Sequence, residues 1–242
     1  MTPLAAMHRR ERRSPEPDPA HRPEDDPMSE STRRLPVYLV LDVSGSMAGD
    51  PIEAVKMGLK ALLSDLQDNP QALETVWLSV ITFGSSARQV VPLTEIGAFS
   101  EPPLTIEGST NLADALKVLK GAITKEVRKN TATQKGDWKP LIFLMTDGAP
   151  DPGWEAAADD IKKLKPGNLI ACAVGPAADT TALKRITEIV LKMSDCSPGT
   201  LGAFMKWMTD SVTRTSVSVG TKGDAAIDLP ALPADKGIVI VP

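Results

Sequence analysis

The sequence predicts an α/β protein with a doubly wound, mostly parallel sheet that is covered by helices on both faces. Runs of consecutive apolar residues, such as VYLVLDV at residues 37–43, are typical of strands buried on both faces. Between these runs, apolar residues recur at the three- and four-residue spacing of amphipathic helices. Strands that alternate with helices through short connections form parallel sheets with right-handed crossovers.

The first half of this pattern contains a strand, a helix and a hairpin. After the strand at residues 37–43, Asp50 is predicted to cap a helix, with Glu53 as the acid of a capping box. A second strand is predicted at residues 76–83. A short Gly-Ser loop follows it, and residues 88–93 are expected to return as the antiparallel arm of a hairpin.

The second half repeats the alternation of strands and helices, and we detect no internal repeat. Helical spacing of apolar residues predicts four helices, which cover residues 112–127, 154–164, 183–190 and 201–212. Apolar runs predict three strands, at residues 141–145, 169–174 and 191–193.

The two ends of the chain differ in composition from this core. Residues 1–34 combine seven arginines with seven acidic residues and six prolines. Such a segment buries too little apolar surface to offset the loss of chain entropy, so we predict a disordered extension, with Met28 as a candidate start of translation. Residues 216–242 are polar and rich in Pro and Gly, which predicts a flexible tail. The folded domain is therefore expected to cover residues 35–215.

The composition argues against several classes of protein. A formal net charge of −4 disfavours general nucleic-acid binding, and no apolar run approaches the length of a membrane-spanning helix. Two cysteines cannot form a disulfide framework, so we expect a cytoplasmic location. Both histidines, His8 and His21, precede the predicted domain, which excludes Ser-His-Asp hydrolysis and the common zinc sites from it.

Polar side chains gather in loops at one edge of the predicted sheet. Ligands of doubly wound sheets bind outside the carboxyl ends of the strands, where these loops lie. Two carboxylates brought together there repel each other, and a divalent cation removes that repulsion. An all-oxygen ligand set suits Mg²⁺ or Mn²⁺ and leaves at least one coordination position open. The predicted metal ligands are Asp42, Ser44, Ser46, Thr110 and Asp147.

These five residues resemble the metal-ion-dependent adhesion site of von Willebrand factor type A domains. The stretches LPVYLVLDVSGSM, SVITFGSSARQVVPLTE and QKGDWKPLIFLMTDG are similar to the TerY-type proteins of bacterial tellurium-resistance clusters. The resemblance covers residues 35–215 and implies a Rossmann-like fold with a six-stranded sheet, one short antiparallel edge strand and a magnesium-type ion. It also implies stress-response partners, among them a serine/threonine phosphatase-like protein and a kinase-like protein.

Two functions are compatible with such a site. In the first, a non-catalytic interaction module uses the open position of the metal to accept a carboxylate from a partner protein. The alternative is a Mg²⁺-dependent phosphohydrolase that uses Asp42. Hydrolysis needs a positioned proton carrier, but position 44 is a serine and the three site loops contain no lysine, so we favour the interaction module.

The loops next to the predicted site carry apolar residues. We expect the loops at residues 48–50, 95–108 and 149–154 to lie at the same edge of the sheet. Their side chains would form an apolar rim around the charged centre, as in many binding hot spots. The residues expected in this rim are Ala98, Phe99, Pro102, Pro103, Pro150 and Trp154.

Overall fold

A seven-stranded sheet forms the centre of the computed structural model, which describes residues 33–222 and 229–242. The strands are β1 (Leu35–Asp42), β2 (Val76–Phe83), β3 (Ala87–Glu95), β4 (Leu141–Thr146), β5 (Asn168–Val174), β6 (Ile189–Met193) and β7 (Ile238–Ile240). Their order in the sheet is β3-β2-β1-β4-β5-β6-β7. The five central strands are parallel, whereas the edge strands β3 and β7 run antiparallel to their neighbours.

Helices cover both faces of the sheet. They are α1 (Asp50–Gln67), α2 (Pro70–Thr75), α3 (Leu112–Glu126), α4 (Glu155–Leu164), α5 (Thr180–Ile186) and α6 (Pro198–Lys222). Helices α1, α2 and α6 enclose one apolar cluster, and α3, α4 and α5 enclose a second cluster on the opposite face. Successive residues of β1 point alternately into the two clusters, Leu39 into the first and Val40 into the second. The doubly wound α/β fold predicted from the sequence is confirmed.

The connections place a topological switch point beside β1. The chain passes from β1 to β2 on one side, and the strand on the other side of β1 is β4. The crevice outside the carboxyl ends of β1 and β4 is therefore the place where a sheet of this kind binds ligands. Asp42 ends β1 and Asp147 follows β4, so both open onto this crevice.

The sheet contains one strand more than the six that the resemblance implies. Residues 238–240, within the predicted flexible tail, pair antiparallel with β6 as strand β7. Ile238 is buried against the core, and the indole Nε1 of Trp207 donates a hydrogen bond to the carbonyl oxygen of Pro230 at 2.9 Å. This short apolar run forms hydrogen bonds with the otherwise free edge of β6. The polar composition of residues 216–242 gave no indication of that pairing.

Other predicted boundaries also differ from the structure. The predicted domain end at residue 215 falls within α6, which continues to Lys222. Of the predicted disordered extension over residues 1–34, residues 1–32 lie outside the described residues. Its last residue, Arg34, is instead buried and pairs with Asp137, so the extension was predicted to reach too far. The helix predicted over 183–190 ends at Ile186, and Val190 belongs to β6.

The N-terminus of α1 also differs from the prediction. Asp50 is the first residue of α1 rather than its cap; the cap is Gly49, whose φ of 85° favours glycine. Helix α2 was not predicted because its six residues are too few to show a helical period. No helix among the described residues is long and apolar enough to cross a membrane.

Candidate metal centre

Hydrogen bonds connect four of the five predicted ligands at the carboxyl edge of the sheet. The backbone N–H of Ser44 donates to Oδ1 of Asp42 at 2.8 Å. The hydroxyl oxygens of Ser44 and Ser46 lie 3.1 Å apart, and the Ser46 hydroxyl donates to Oδ1 of Asp147 at 2.7 Å. The two carboxylates, which are 105 positions apart in the sequence, are thus joined through the two serines.

Thr110 lies next to this chain of hydrogen bonds without joining it. A Cβ atom built on Gly148 would lie 3.2 Å from Oγ1 of Thr110, so the threonine hydroxyl faces the turn that follows Asp147. The carbonyl oxygen of Thr110 accepts a hydrogen bond from the N–H of Asp151 at 3.1 Å. Among the described residues, the Thr110 side chain forms no hydrogen bond with the other four predicted ligands.

Backbone contacts fix the loop after β1 against the segment that leads into α3. The N–H of Gly45 donates to the carbonyl oxygen of Gly108 at 2.8 Å, and the N–H of Glu107 donates to that of Val43 at 2.7 Å. A Cβ atom at Gly84 would lie only 2.3 Å from the carbonyl oxygen of Glu107, so this close approach requires glycine. These contacts bring Thr110 to the same edge of the sheet as Asp42.

The two aspartates are buried without a counter-charge. Asp42 has no exposed surface and Asp147 is 6% exposed. Burial raises the pKa of both carboxyls; for Asp42 the hydrogen bonds from Ser44 and Thr146 oppose this shift, while the charge of Asp147 adds to it. Neither aspartate forms an ion pair with a lysine or arginine of the described residues. Two buried carboxylates therefore meet without a cation from this part of the chain.

Thr146 is a site residue that sequence reasoning missed. Its hydroxyl donates to Oδ2 of Asp42 at 2.5 Å and lies 3.4 Å from the N–H of Gly148. Thr146 thus holds the Asp42 carboxylate from the neighbouring strand. Its position directly before Asp147 was visible in the sequence, but the contact depends on the register between β1 and β4, in which Leu41 lies opposite Met145.

The residues at this edge fit a hard divalent cation. The described residues contain no cluster of three or more His, Cys, Asp or Glu side chains that could hold a metal ion. A metal here would therefore be held by two carboxylates and the three hydroxyls of Ser44, Ser46 and Thr110. Such an all-oxygen set suits Mg²⁺ or Mn²⁺, whose double charge matches the two unpaired carboxylates.

The structure changes the expected apolar rim. Strand β3 carries the chain away from the site, since Glu95 pairs with Trp77 near the start of β2. Ala98 and Phe99, just beyond β3, therefore lie near the opposite edge of the sheet, so their assignment to the rim was wrong. Pro102 is buried and Pro103 is exposed.

The loop at residues 149–154 follows Asp147 and Gly148, lies beside Thr110 through the hydrogen bond from the N–H of Asp151, and remains the apolar part of the rim. Its Trp154 is half-buried and lies 6.0 Å from the guanidinium carbon of Arg185, measured from the ring centre. On the side of the loop before α3, the surface is charged, because Arg88 and Glu107 form an ion pair. The rim is therefore apolar on one side of the site and polar on the other.

Comparison with known sequences identifies a family. Residues 37–197 match the profile of the von Willebrand factor type A domain. The protein sll0103 of Synechocystis sp. is 34% identical over 128 residues, which are 50% of this chain and 27% of that protein. The inter-alpha-trypsin inhibitor heavy chain H6 of Homo sapiens is 24% identical over 165 residues, which are 62% of this chain and 12% of that protein. The matches thus span only a minor part of these relatives.

Solved structures share the fold at low sequence identity. Proximal thread matrix protein 1 from the mussel byssus, solved with a zinc-occupied MIDAS motif, superposes with a TM-score of 0.54 at 19% identity, covering 76% of this chain and 48% of that one. The pilus adhesin SpaC from Lactobacillus rhamnosus GG gives a TM-score of 0.60 at 16% identity, covering 75% of this chain and 30% of that one.

Proposed function

Because the chain belongs to the von Willebrand factor type A domain family, we propose that it is a non-catalytic protein-binding module that depends on a divalent metal ion. Domains of this family are known for metal-dependent protein–protein interactions. The observation that carries the proposal is the pair of buried carboxylates, Asp42 and Asp147, which are joined through two serines. No lysine or arginine of the described residues forms an ion pair with either of them.

The proposed ion is Mg²⁺ or Mn²⁺, and its ligands are Asp42, Ser44, Ser46, Thr110 and Asp147. The mussel protein with zinc in its MIDAS motif supports a divalent ion at this place in the fold. When bound, the ion supplies an electrophilic centre with an exchangeable position, which a Glu or Asp side chain of a partner can fill. The loop at residues 149–154, with Trp154, would provide the apolar contacts beside that carboxylate.

The biological setting is also a proposal. The similarity of three stretches to TerY-type proteins supports a role in a bacterial tellurium-resistance or stress-response system. In that setting the partner would be a phosphatase-like or kinase-like protein of the same gene cluster. Neither cysteine forms a disulfide bond, which supports a reducing compartment and hence the cytoplasm.

Phosphohydrolysis by Asp42 has less support from the geometry. One oxygen of this carboxylate accepts a hydrogen bond from the N–H of Ser44 and the other accepts one from the hydroxyl of Thr146. Each oxygen is thus oriented by a hydrogen bond from the protein, and no lysine or arginine of the described residues pairs with Asp42 to neutralise a transferred phosphate. Incubation with an aryl phosphate and Mg²⁺ or Mn²⁺ should give no turnover. Turnover that disappears in Asp42→Asn would overturn the assignment as a non-catalytic module.

The binding proposal is tested by affinity purification from the native bacterium. We expect a partner to be retained by the wild type in Mg²⁺ or Mn²⁺, released by EDTA, and lost with Asp147→Ala. Ser46→Ala and Thr110→Ala should weaken retention, and circular dichroism should show that both variants remain folded. A partner that binds equally well in EDTA and to Thr110→Ala would contradict the proposal.

A further inference from the structure

A groove of about 360 Å³ runs between α3 and α4, on the flank of the domain. Leu116, Gly121 and Ala157 lie along it, and the side chains of Lys117, Lys120 and Lys125 border it. Leu116 and Ala157 are buried, so the part of the groove closest to the core is apolar. We propose that this groove is a second interaction surface, which binds an acidic segment of a protein partner independently of the metal ion.

Gly121 is the first observation that supports this surface. A glycine in the interior of a helix lowers its stability relative to alanine, so it usually has a packing reason. Gly58 of α1 has such a reason, because a Cβ atom there would lie 2.3 Å from Cγ of Met205. Gly121 has none, since a Cβ atom at this position would meet nothing within 4 Å. The absent side chain instead leaves the groove open to an apolar side chain of a partner.

The charge around the groove is the second observation. Nζ of Lys120 lies 2.7 Å from Oδ2 of Asp160, and Nζ of Lys163 lies 3.7 Å from Oδ1 of the same aspartate, so two lysines share one carboxylate. Lys117 pairs with Asp114 at 3.2 Å, while Lys125 has no ion pair within the described part of the chain.

Among the residues that line the groove, three lysines (Lys117, Lys120 and Lys125) stand beside one aspartate, Asp160, an excess of two positive charges on a chain whose formal net charge is −4. Carboxylates of a partner would pair with these lysines, while an apolar side chain would cover Gly121. A segment that alternates acidic and apolar residues matches both features, whereas a basic segment would be repelled.

The groove is distinct from the metal centre. Gly121 lies nine positions into α3 from Leu112, a distance of roughly 13 Å along the helix axis. None of the residues that line the groove belongs to the predicted ligands of the metal. The inference therefore does not depend on the proposed function, and EDTA separates the two.

The test uses a short fluorescein-labelled peptide of alternating glutamate and leucine, with a peptide of lysine and leucine as its control. Fluorescence anisotropy at low ionic strength should show binding of the acidic peptide only, with the same affinity in Mn²⁺ and in EDTA. Gly121→Leu, which fills the groove, and Lys125→Glu should each weaken binding about tenfold. Gly121→Leu should not lower the Tm, because leucine favours the helix more than glycine does.

Gly202→Leu is the matched control for the groove variant. Gly202 is also a glycine of a helix, α6, with no atom within 4 Å of a built Cβ, but α6 covers the opposite face of the sheet. Gly202→Leu should leave peptide binding unchanged. Equal affinity in Gly121→Leu and Gly202→Leu, or no preference of the wild type for the acidic peptide, would overturn the inference.

Discussion

Both edges of the sheet bury carboxylates, but only one edge provides counter-charges. At the edge where β1 begins, the side chain of Asp137 is 2% exposed and accepts two hydrogen bonds from the guanidinium of Arg34, at 2.9 and 2.6 Å. The same guanidinium lies 4.6 Å from the centre of the Trp77 ring. At the carboxyl edge, Asp42 and Asp147 are similarly buried, yet their hydrogen bonds come from hydroxyls and one backbone N–H.

This difference separates a structural polar cluster from a candidate binding site. When a buried carboxylate is paired with arginine, its negative charge is balanced within the fold and no bound cation is required. Two buried carboxylates without a cation destabilise the charged state of the domain, as the raised pKa of both groups indicates. A divalent ion would relieve that cost, so the carboxyl edge is expected to respond to metal and the opposite edge is not.

The largest expected effect concerns the edge of the sheet where β1 begins, at the Arg34–Asp137 pair. Asp137→Ala leaves the buried guanidinium of Arg34 without its carboxylate, so the free energy of unfolding should fall by about 3–5 kcal/mol. Urea denaturation followed by circular dichroism measures this change. The double variant Arg34→Met/Asp137→Leu removes both charges and should recover much of the loss. A single variant as stable as the wild type would show that the Arg34–Asp137 pair does not hold this edge together.

Addition of a divalent metal should stabilise the domain through the carboxyl edge of the sheet, where Asp42 and Asp147 lie. At a Mn²⁺ concentration one hundred times its Kd, the ion should stabilise the fold by about 2.7 kcal/mol, which thermal unfolding detects as a higher Tm. Asp42→Ala and Asp147→Ala should each abolish the shift. Asp65→Ala, an exposed aspartate of α1, is the matched control and should retain it. Equal shifts in all four proteins would place the ion elsewhere.

A smaller loss should follow from the residue that orients Asp42. Thr146→Val keeps the shape of the side chain but removes the hydroxyl that donates to Oδ2 of Asp42. Residues that orient a metal ligand typically contribute tenfold or more to affinity, so Mn²⁺ binding should weaken about tenfold, or by about 1.4 kcal/mol. Isothermal titration calorimetry measures the affinity. Unchanged Mn²⁺ affinity would mean that the Thr146 hydroxyl has no part in positioning the ligand.

The last expected effect is the pH dependence of the metal-free domain, for which the direction of the change is predicted. Burial raises the pKa of Asp42 and Asp147 above the ordinary value of 3.8, so the folded state binds these protons more tightly than the unfolded chain does. Their contribution to stability is therefore present at low pH and is lost as the pH rises from 3.8 through the folded pKa, by at most about 1.4 kcal/mol per pH unit for each carboxyl.

Thermal unfolding of the wild type and Asp42→Asn between about pH 4 and pH 7 tests this sign. Metal-free wild type should lose stability relative to Asp42→Asn as the pH increases. With Mn²⁺ the trend should reverse, because the ion binds the deprotonated carboxylates. Parallel pH profiles of the two metal-free proteins would contradict the expectation.

The central strands and the composition of the candidate site can be predicted from local sequence patterns. The apolar runs that form β1, β2, β4 and β5 are buried on both faces, and a run of consecutive apolar residues predicts this burial. In a parallel sheet every strand ends at the same edge, so the residues that follow β1 and β4 are expected at one edge; their close approach also requires that the two strands are neighbours, which is decided by the strand order. The sequence therefore predicts Asp42 and Asp147 at one edge of the sheet.

Features that depend on pairing between distant segments become visible only in the folded chain. Strand β7 has three residues, and its pairing with β6 across some 45 positions leaves no periodic signal in a polar tail. The contact of Thr146 with Asp42 depends on the β1–β4 register, and the antiparallel course of β3 moves Phe99 away from the site. Local patterns encode which residues are buried, but the choice of partner is made by the free energy of the assembled sheet.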